Sequence, residues 1–507
     1  MSARRTFRRL CALFIIHFSL FISGGIAAAH FTPPNYPVPT FPDRTFNLRD
    51  FGAKGDGKAN DTAAFNKAFI ACSKAGGGTV YVPPGNYLAA SVRIQNNVRL
   101  QLDKDATITG GPAGAFLPPE PNPHRKYQDF GHSHFQNALM WGENVENFAV
   151  LGGTIDGGTI INGDPKEPGI GDKIFAIRVG KNLHFEGTTF TKGGHFVYLL
   201  NDCENITIAN TVIKRSRDAI DLMGCRNVQI YDNHFTGCGD DTVGIKSDYA
   251  LGRRIKTENI YVWNCYFETG CNGIQFGSET AGDFYNINVW GITIGRAGKA
   301  ALGITCNDSA IIDGVRMNNI KIKGATTPVY MLISDRLRTG EKGVKPGVIR
   351  NVVISNVTAE QARANRRNII VPATISGLPD YPLENITLEN IKITMPGSGT
   401  AEDDAIKNPV YPKDYSPRSL GKRPAAGIFI RHVRGLTLRN VKLAYENPDK
   451  CPPLVAFDVH NLTLDGFDTQ KTEAPHLLRL EAIKNLEIRN SRGLPDGKTA
   501  EIKNKTM

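Results

Sequence analysis

A short phrase recurs along this chain: an Asn, or a residue in its place, followed by a run in which apolar and polar residues alternate. Clear examples begin at Glu146 (ENFAVLGG), Glu204 (ENITIAN), Arg226 (RNVQIYD), Arg350 (RNVVISN) and Glu384 (ENITLEN). Alternation with a period of two predicts short strands. A unit of this length cannot bury its own apolar face, so the units must stack and share one core. The repeat therefore predicts an all-β fold, a single-stranded right-handed parallel β-helix.

The spacing of the repeat sets the length of one coil. Asn182, Asn205 and Asn227 are 23 and 22 residues apart, and most later gaps lengthen to about 27–34 residues. Interruptions richer in Pro, Gly and charge are expected to be loops that wall a cleft or wrap the far end: residues 112–140, 158–172, 334–346 and 395–424. Such a solenoid presents a long shallow groove, which suits a polymeric ligand.

The chain divides into four segments. Residues 1–29 are interpreted as an export signal, because four Arg precede an apolar run and a small-residue cleavage site, with the twin-arginine route as one option. Residues 30–45 are Pro-rich and form an extended lead-in, and residues 46–493 form the catalytic β-helix domain. Residues 494–507 are polar and are expected to be a frayed tail. The predicted export signal indicates a secreted or periplasmic location.

A helix is predicted directly after Asn60 or Asp61, either of which can cap it. One face of that helix is apolar along its length: Phe65, Ala68, Phe69 and Cys72. Such a helix would cover the open end of the first coil, as the terminal unit of a solenoid must.

Composition excludes several classes of protein. After the signal no segment approaches 18 apolar residues, so no membrane span is expected. The formal charge is +11, but no dense Lys/Arg run or aromatic-interleaved basic stripe indicates nucleic-acid binding. Cys203 and Cys225 occupy the same place in successive repeats, which leaves a disulfide and a stack of buried thiols equally open. A monomer that binds a polysaccharide or oligosaccharide is expected.

One stretch, residues 216–248, interrupts the repeat with acidic residues. Asp218, Asp221, Asp240 and Asp241 fall on two successive coils, and Asp218 precedes Asp240 by 22 residues, one coil length. The two should therefore lie side by side, which raises at least one carboxyl pKa. A protonated carboxyl beside ionised ones is the acid and base pair that hydrolyses a glycosidic bond. A solvated acidic turn and a Ca²⁺ site remain open from spacing alone.

Three segments resemble glycoside hydrolase family 28, the polygalacturonase family of right-handed β-helix enzymes. They are FGAKGDG…GGGTVYVPPGNY, DAID…GDDTVGIKS and ENIYVWNCYFETGCNGIQFGSE, and the resemblance spans roughly Phe46 to Asp468. It implies an inverting glycosidase that needs no metal and no other cofactor. It also implies that Asp240 is the general acid, while Asp218 and Asp241 activate water.

The chain departs from polygalacturonases at three places. Residues 216–218 are Ser-Arg-Asp where those enzymes have Asn-Thr-Asp, and Asn272 stands where they have the His of a Gly-His-Gly. Gly303 and Thr305 stand where they have the Arg and Lys that bind the galacturonate carboxylate. Each lost cation removes a charge-assisted contact of about 1.5–3 kcal/mol. We therefore expect a neutral or differently charged sugar beside the scissile bond, as in a rhamnogalacturonan or another decorated pectic glycan.

Five further residues are candidates for binding substrate: Asn272, Lys246, Glu279, Asp221 and His195. Lys246 can point outward beside the Asp pair or form a salt bridge with an aspartate. Glu279 is expected to be a fourth carboxylate in the cleft or a turn residue, and Asn272 a substrate hydrogen-bond partner or part of an Asn stack. Asp221 is expected to orient the acidic cluster. His195 is expected at the groove rim or in an exposed loop.

Two other functions fit parts of the pattern. A polysaccharide lyase would use the aspartates to hold Ca²⁺ and a Lys or Arg as base, although no well-placed Arg follows on the next coil. A non-catalytic glycan-binding solenoid would explain the missing His, Arg and Lys. Clustered carboxylates are costly for a protein that only binds, so hydrolysis is the preferred interpretation.

Overall fold

The computed structural model describes residues 32–361, 371–407 and 409–507. The export signal predicted for residues 1–29 lies outside the described residues. Residues 34–507 form one compact unit, in which the described strands pair in parallel except at the final strand. The predicted right-handed parallel β-helix is confirmed.

The strands of the first half are β1 Thr45–Asn47, β2 Asp56–Asn60, β3 Gly78–Val82, β4 Gly85–Ala89, β5 Val92–Arg93, β6 Val98–Leu102, β7 Ala106–Gly110, β8 Ala138–Leu151, β9 Thr154–Asp156, β10 Lys173–Glu186, β11 Thr189–Lys192, β12 Phe196–Asn201, β13 Glu204–Ala209, β14 Val212–Ile213, β15 Asp218–Met223, β16 Arg226–Tyr231, β17 His234–Cys238 and β18 Val243–Ser247. Those of the second half are β19 Thr257–Trp263, β20 Tyr266–Thr269, β21 Ile274–Thr280, β22 Phe284–Cys306, β23 Ile311–Ile333, β24 Val348–Gln361, β25 Ala373–Ser376, β26 Leu383–Met395, β27 Ile428–Tyr445, β28 Leu454–Asp465, β29 Asp468–Thr469, β30 Leu478–Arg489 and β31 Gly497–Thr506. The α-helices are α1 Thr62–Lys74 and α2 Ala401–Asp404.

Each coil contributes strands to three faces. In one coil β12 lies on face A, β13 on face B and β14 on face C, and the next coil repeats the order with β15, β16 and β17. The longer strands bend from one face to the next, as β22 does along faces B, C and A. Inward apolar side chains from all three faces form one core that runs the length of the solenoid.

The recurring Asn marks the turn between faces A and B. Asn182, Asn205 and Asn227 have φ of 56°, 55° and 56°, a left-handed conformation that Asn tolerates better than most residues. Their amides stack: Asn205 Nδ2 donates to Asn182 Oδ1 at 2.9 Å, and Asn227 Nδ2 donates to Asn205 Oδ1 at 3.0 Å. Turn geometry and this amide ladder together explain why the phrase repeats.

Helix α1 covers the first coils, as predicted, with its apolar face buried: Phe65, Ala68, Phe69 and Cys72. The two candidate caps accept different hydrogen bonds. Asn60 Oδ1 accepts from the Thr62 backbone N–H at 3.1 Å. The Asp61 carboxylate makes no cap bond to the helix and instead accepts from the backbone N–H groups of Lys54 and Gly55.

The two ends of the described chain behave differently from each other. The lead-in has no regular secondary structure before β1. The expectation of a frayed tail is wrong, because β31 pairs antiparallel with β30 and Ile502 lies opposite Ile483. Ile502 is buried while its neighbours in β31 are charged or polar and exposed. The tail therefore caps the open edge of the last coil, which would otherwise expose unpaired backbone groups.

The cysteines in the described residues are buried free thiols, which decides the question left open for Cys203 and Cys225. Burial raises the pKa of the Cys203 thiol well above its usual value, and the adjacent Cys225 adds to that shift. Among the described residues no helix has the length and apolar character needed to span a bilayer.

Candidate active site

The acidic cluster lies on face A, where four coils place small and polar residues in one outward column. Asp221 pairs with Gly244, Gly244 with Gln275, and Gln275 with Gly303. Glycine leaves room for a longer neighbouring side chain at two of these positions. A Cβ on Gly244 would lie 2.2 Å from Asp221 Oδ1, and one on Gly303 would lie 2.2 Å from Gln275 Oε1. The backbone is thus shaped to admit the two longer polar side chains.

The three predicted catalytic aspartates converge, but with a register that differs from the prediction by one residue. Ser216 pairs with Cys238 whereas Ile220 pairs with Val243, so the chain accommodates an extra residue at the start of β18. Asp218 consequently lies beside Asp241 and not Asp240, and the Asp241 backbone N–H donates to Asp218 Oδ1 at 3.0 Å.

Asp240 lies close to both of its partners. Its carboxylate has an oxygen within 4.8 Å of one on Asp241. Arg217 links it to Asp218: guanidinium nitrogens of Arg217 lie 3.1 Å from Asp240 Oδ2 and 3.8 Å from Asp218 Oδ2. The side chain of Asp240 is 22% exposed, against 3% for Asp218 and 4% for Asp241. Asp240 is therefore the carboxyl of the three that reaches furthest into solvent.

The surroundings spread the pKa values of the three carboxyls apart. Burial, reinforced by the negative charges of Asp240 and Asp221, raises the pKa of Asp218 well above its usual value. Burial also raises the pKa of Asp241 to about 6, against the opposing effect of Lys246. Burial pushes the pKa of Asp240 upward too, but Arg217 and Lys299 more than offset it, so that pKa lies below its usual value. Proton affinity is therefore raised at Asp218 and Asp241 and lowered at Asp240 in the free protein.

A buried layer of alternating charges supports the cluster from below. Lys246 Nζ lies 2.8 Å from Asp221 Oδ2 and 3.6 Å from Asp241 Oδ2. His132 Nε2 lies 3.3 Å from Asp221 Oδ2, and its Nδ1 lies 3.7 Å from Glu279 Oε2. Burial opposes the charge on His132, but Glu279 and Asp221 outweigh it and raise the pKa of the imidazole.

The buried layer contains three of the predicted substrate-binding residues, Lys246, Asp221 and Glu279. Lys246 is the salt-bridge partner that the sequence allowed, and Asp221 orients the cluster through it. Glu279 is buried under the cleft and forms an ion pair with Arg338. Burial would raise the pKa of Glu279, but His132 and Arg338 bring it well below its usual value.

Asn272 is also buried and contacts the acidic cluster. Its Nδ2 donates to Asp241 Oδ1 at 2.8 Å, and its Oδ1 accepts from the Ala300 backbone N–H at 3.1 Å. Asn272 therefore fixes the orientation of the Asp241 carboxylate.

His195 lies neither at the groove rim nor in an exposed loop, so both expected surface positions are wrong. The residue is 3% exposed, and its ring stacks on Phe196 with centroids 4.2 Å apart. His195 Nδ1 lies 3.5 Å from Asp164 Oδ1 and 3.9 Å from Asp172 Oδ2. Burial, with a contribution from Arg217, lowers the pKa of the imidazole far below its usual value. His195 is thus a neutral packing residue behind β15.

Three of the predicted loops surround the aspartates. On one side the loop of residues 112–140 places Phe135 against Trp141, Phe196 and Met223 on face A. On the other side the loop of residues 395–424 packs Leu420 against Ala300, Tyr330 and Leu332. The loop of residues 334–346 contributes Arg338, which joins Glu279 to Asp129. The cleft therefore spans a few coils between two covered stretches of face A.

Sequence reasoning missed Lys299, on β22, and three residues that these loops bring in: His132, Arg338 and Tyr415. The loops were identified as walls of a cleft, but no spacing rule fixes which side chain of a long loop points inward. Arg217 was noted only as a departure from the polygalacturonase pattern. Its contact with Asp240 depends on the extra residue at the start of β18.

Two groups in the described residues have the donor types of a metal site. They are Asp240, Asp241 and Cys271 in the cleft, and Asp164, Asp172 and His195 behind it. Lysine and arginine already neutralise the carboxylates in both. Arg217 and Lys246 lie beside the first group, and Lys173 Nζ lies 2.7 Å from Asp172 Oδ1 in the second. A divalent cation would face these ammonium and guanidinium groups, so neither site fits one.

Residues 72–416 match the sequence profile of the glycosyl hydrolases family 28. This chain belongs to that family. It is 24% identical over 355 residues to a probable rhamnogalacturonase C of Aspergillus niger, a match that covers 67% of this chain and 66% of the relative, just under two thirds of its length. Family membership confirms the resemblance seen in the three sequence segments.

Solved structures share the β-helix. The Yersinia enterocolitica family 28 exopolygalacturonase superposes with a TM-score of 0.59 at 15% identity, covering 84% of this chain and 79% of that one. The Streptococcus pneumoniae surface protein and adhesin PfbA gives a TM-score of 0.51 at 16% identity, covering 88% of this chain and 100% of that one. Likeness at these identities shows the fold alone, because an enzyme and an adhesin both have it.

Proposed function

We propose that this protein is an exported hydrolase that cleaves α-glycosidic bonds in a pectic polysaccharide or oligosaccharide, rhamnogalacturonan-like or otherwise galacturonate-containing. The observation that carries the proposal is the convergence of Asp218, Asp240 and Asp241 in one cleft with pKa values driven apart. Membership of family 28 and similarity to a probable rhamnogalacturonase support the reaction and the substrate class.

The geometry supports a division of roles among the carboxyls. Asp240 is the most exposed of the three, so it is placed to protonate the leaving glycosidic oxygen. Asp241 has a pKa of about 6 and is ionised above that pH, so it can take a proton from the attacking water. Asp218, whose pKa is raised by burial and by the charges of Asp240 and Asp221, holds that water beside Asp241. Water then bonds to the anomeric carbon as the carbon–oxygen bond to the leaving sugar breaks.

The stereochemical outcome needs its own evidence. Inverting pairs are usually about 6.5–9.5 Å apart and retaining pairs about 5–5.5 Å. Asp240 and Asp241 have oxygens within 4.8 Å of each other, a spacing that favours retention on separation alone. The family resemblance implies inversion, and the proposal adopts it because water between Asp218 and Asp241 leaves neither carboxylate aimed at the anomeric carbon as a nucleophile.

The test is a product screen on rhamnogalacturonan, homogalacturonan and neutral plant glycans, with ¹H NMR of the first product formed. A product whose anomeric configuration is opposite to that of the bond cleaved supports inversion, and the same configuration contradicts it. An unsaturated ultraviolet-absorbing product that disappears with chelator would establish a lyase instead. Binding without turnover across the panel would establish a glycan-binding solenoid.

A further inference from the structure

The place where polygalacturonases bind the substrate carboxylate is filled by a buried polar network. Gly303 leaves room for the Gln275 side chain, whose Nε2 donates to Thr305 Oγ1 at 3.1 Å. Thr305 Oγ1 in turn donates to the Phe276 carbonyl at 2.8 Å. Gln275 and Thr305 are both buried, so no cation can occupy that position.

Two cations instead approach the cleft beside Asp240. Arg217, which immediately precedes Asp218, places a guanidinium nitrogen 3.1 Å from Asp240 Oδ2 and keeps its side chain 31% exposed. Lys299 lies on the other side, where its backbone N–H donates to the Cys271 carbonyl at 2.8 Å. Cys271 lies one coil after the aspartates, with its Sγ within 4.8 Å of the Asp240 and Asp241 carboxylates, so Lys299 lies on the second coil after them.

The loop of residues 395–424 holds Lys299 in place. Lys299 Nζ donates to Tyr415 Oη at 2.7 Å and also interacts with Cys271, and an ammonium carries three N–H donors in all. Arg217 also has donors to spare, because a guanidinium carries five N–H groups and, among the described side chains, those of Arg217 lie within 4 Å of the Asp218 and Asp240 carboxylates. The two side chains therefore combine positive charge with unused donors on both sides of the most exposed catalytic carboxyl.

We propose that Arg217 and Lys299 form the binding site for a substrate carboxylate, so that the sugar bound beside Asp240 is a uronate. This inference rests on the proposed function. It gives a negative charge to the sugar beside Asp240, for which the sequence departures favoured a neutral or differently charged sugar. Arg217 and Lys299 bind the substrate carboxylate, as the Arg and Lys of polygalacturonases do, but from different positions of the coil.

Carboxylate binding here would also place the catalytic proton. In the free protein Asp240 faces Arg217, Lys299, Lys246, Cys271, Asp218 and Asp241, and the cations outweigh the anions so that Asp240 is ionised. A substrate carboxylate that engages Arg217 and Lys299 neutralises them and adds negative charge next to Asp240. Both effects raise the affinity of Asp240 for a proton. Asp240 then takes up a proton from solvent and becomes the acid, while the ionised Asp241 is the base.

The experiment compares an acidic substrate with its carboxyl-reduced counterpart, in which each uronate –COOH has become –CH2OH on the same backbone. The variants are Arg217→Gln and Lys299→Met, and the matched control is Arg215→Gln, which removes an exposed arginine two residues away. We expect wild type to favour the acidic substrate in kcat/KM. In each cleft variant the preference in kcat/KM for the acidic over the reduced substrate should fall about 10- to 100-fold, the value of one charge-assisted contact. Arg215→Gln should match wild type on both.

The outcomes separate this inference from the proposed function. Hydrolysis of both substrates by wild type at equal kcat/KM, or an equal loss on both in the variants, would overturn the carboxylate site while leaving a hydrolase. A second measurement uses Asp240→Asn, in which calorimetric affinity for an acidic oligosaccharide should fall on adding Arg217→Gln and affinity for the reduced one should not. No hydrolysis of any pectic glycan by wild type would overturn the proposed function itself.

Discussion

Replacing Lys246 with Met tests the buried charge layer beneath the aspartates. The ammonium lies 2.8 Å from Asp221 and 3.6 Å from Asp241, and all three side chains are buried. Removing one partner of a buried ion pair costs about 3–5 kcal/mol, because the remaining charge loses its compensation. Unfolding entropy of about 2.1 cal/mol/K per residue gives a chain of this size about 1 kcal/mol/K. Lys246→Met should therefore lower Tm by about 3–5 °C.

The controls distinguish charge compensation from lost packing. Lys256→Met removes an exposed lysine paired with Glu258 and should shift Tm by less than about 1 °C, since surface pairs contribute little. In the double variant Asp221→Asn/Lys246→Met the buried anion is neutralised with the cation, so the loss should be smaller than the sum of the single losses. Differential scanning calorimetry measures these three variants and the single variant Asp221→Asn. A Lys246→Met shift no larger than that of Lys256→Met would refute the reasoning.

The same variant has a consequence for the pH dependence of activity. Asp241 must be ionised to act as base, so kcat/KM of wild type should fall as pH drops through about 6, the pKa of Asp241. Lys246 lowers that pKa by stabilising the carboxylate, so Lys246→Met should move the acid limb to higher pH. An acid limb that stays in place would show that Asp241 is not the titrating base.

Three other changes follow from the geometry. Gly244→Ala puts a Cβ 2.2 Å from Asp221 Oδ1, so stability should fall by about 1–3 kcal/mol, and an unchanged Tm would contradict the tight approach. Asn227→Ala removes a left-handed turn residue and one rung of the amide ladder, so Tm should fall and Asn227→Gly should restore part of it. Because residues 112–140 and 395–424 cover face A on both sides of the cleft, chromatography of digests should show short products from the start, and a broad early ladder of oligomers would contradict this.

The fold was predictable because its determinants are local and repeated. Asn at one left-handed turn per coil and alternation along each strand are visible in any single unit, as in the ENITIAN phrase that contains Asn205. The tail was not predictable in the same way. Its pairing with β30 depends on an exposed edge that exists only once the last coil has formed, and Ile502 alone gives a weak apolar signal.

The candidate site was predictable to the level of residues on strands. Asp218, Asp240 and Asp241 converge as the coil length indicated. The extra residue at the start of β18, however, places Asp241 beside Asp218 where the sequence predicted Asp240. A one-residue change of register is invisible in a repeat whose spacing already varies. The positions of side chains supplied by long loops, such as His132, could not be predicted, because loop conformation depends on the whole surface that the loop covers.

The most direct test of the hydrolytic centre is the kcat of Asp240→Asn on whichever pectic glycan wild type cleaves. Asp232→Asn makes the same chemical change at an exposed turn of the preceding coil, beside Asn264, and serves as the matched control. Loss of the proton donor should reduce kcat by about 10²- to 10⁴-fold, with Tm near that of wild type and the control fully active. A kcat for Asp240→Asn within a few-fold of wild type would contradict the assignment of this cluster as the catalytic centre.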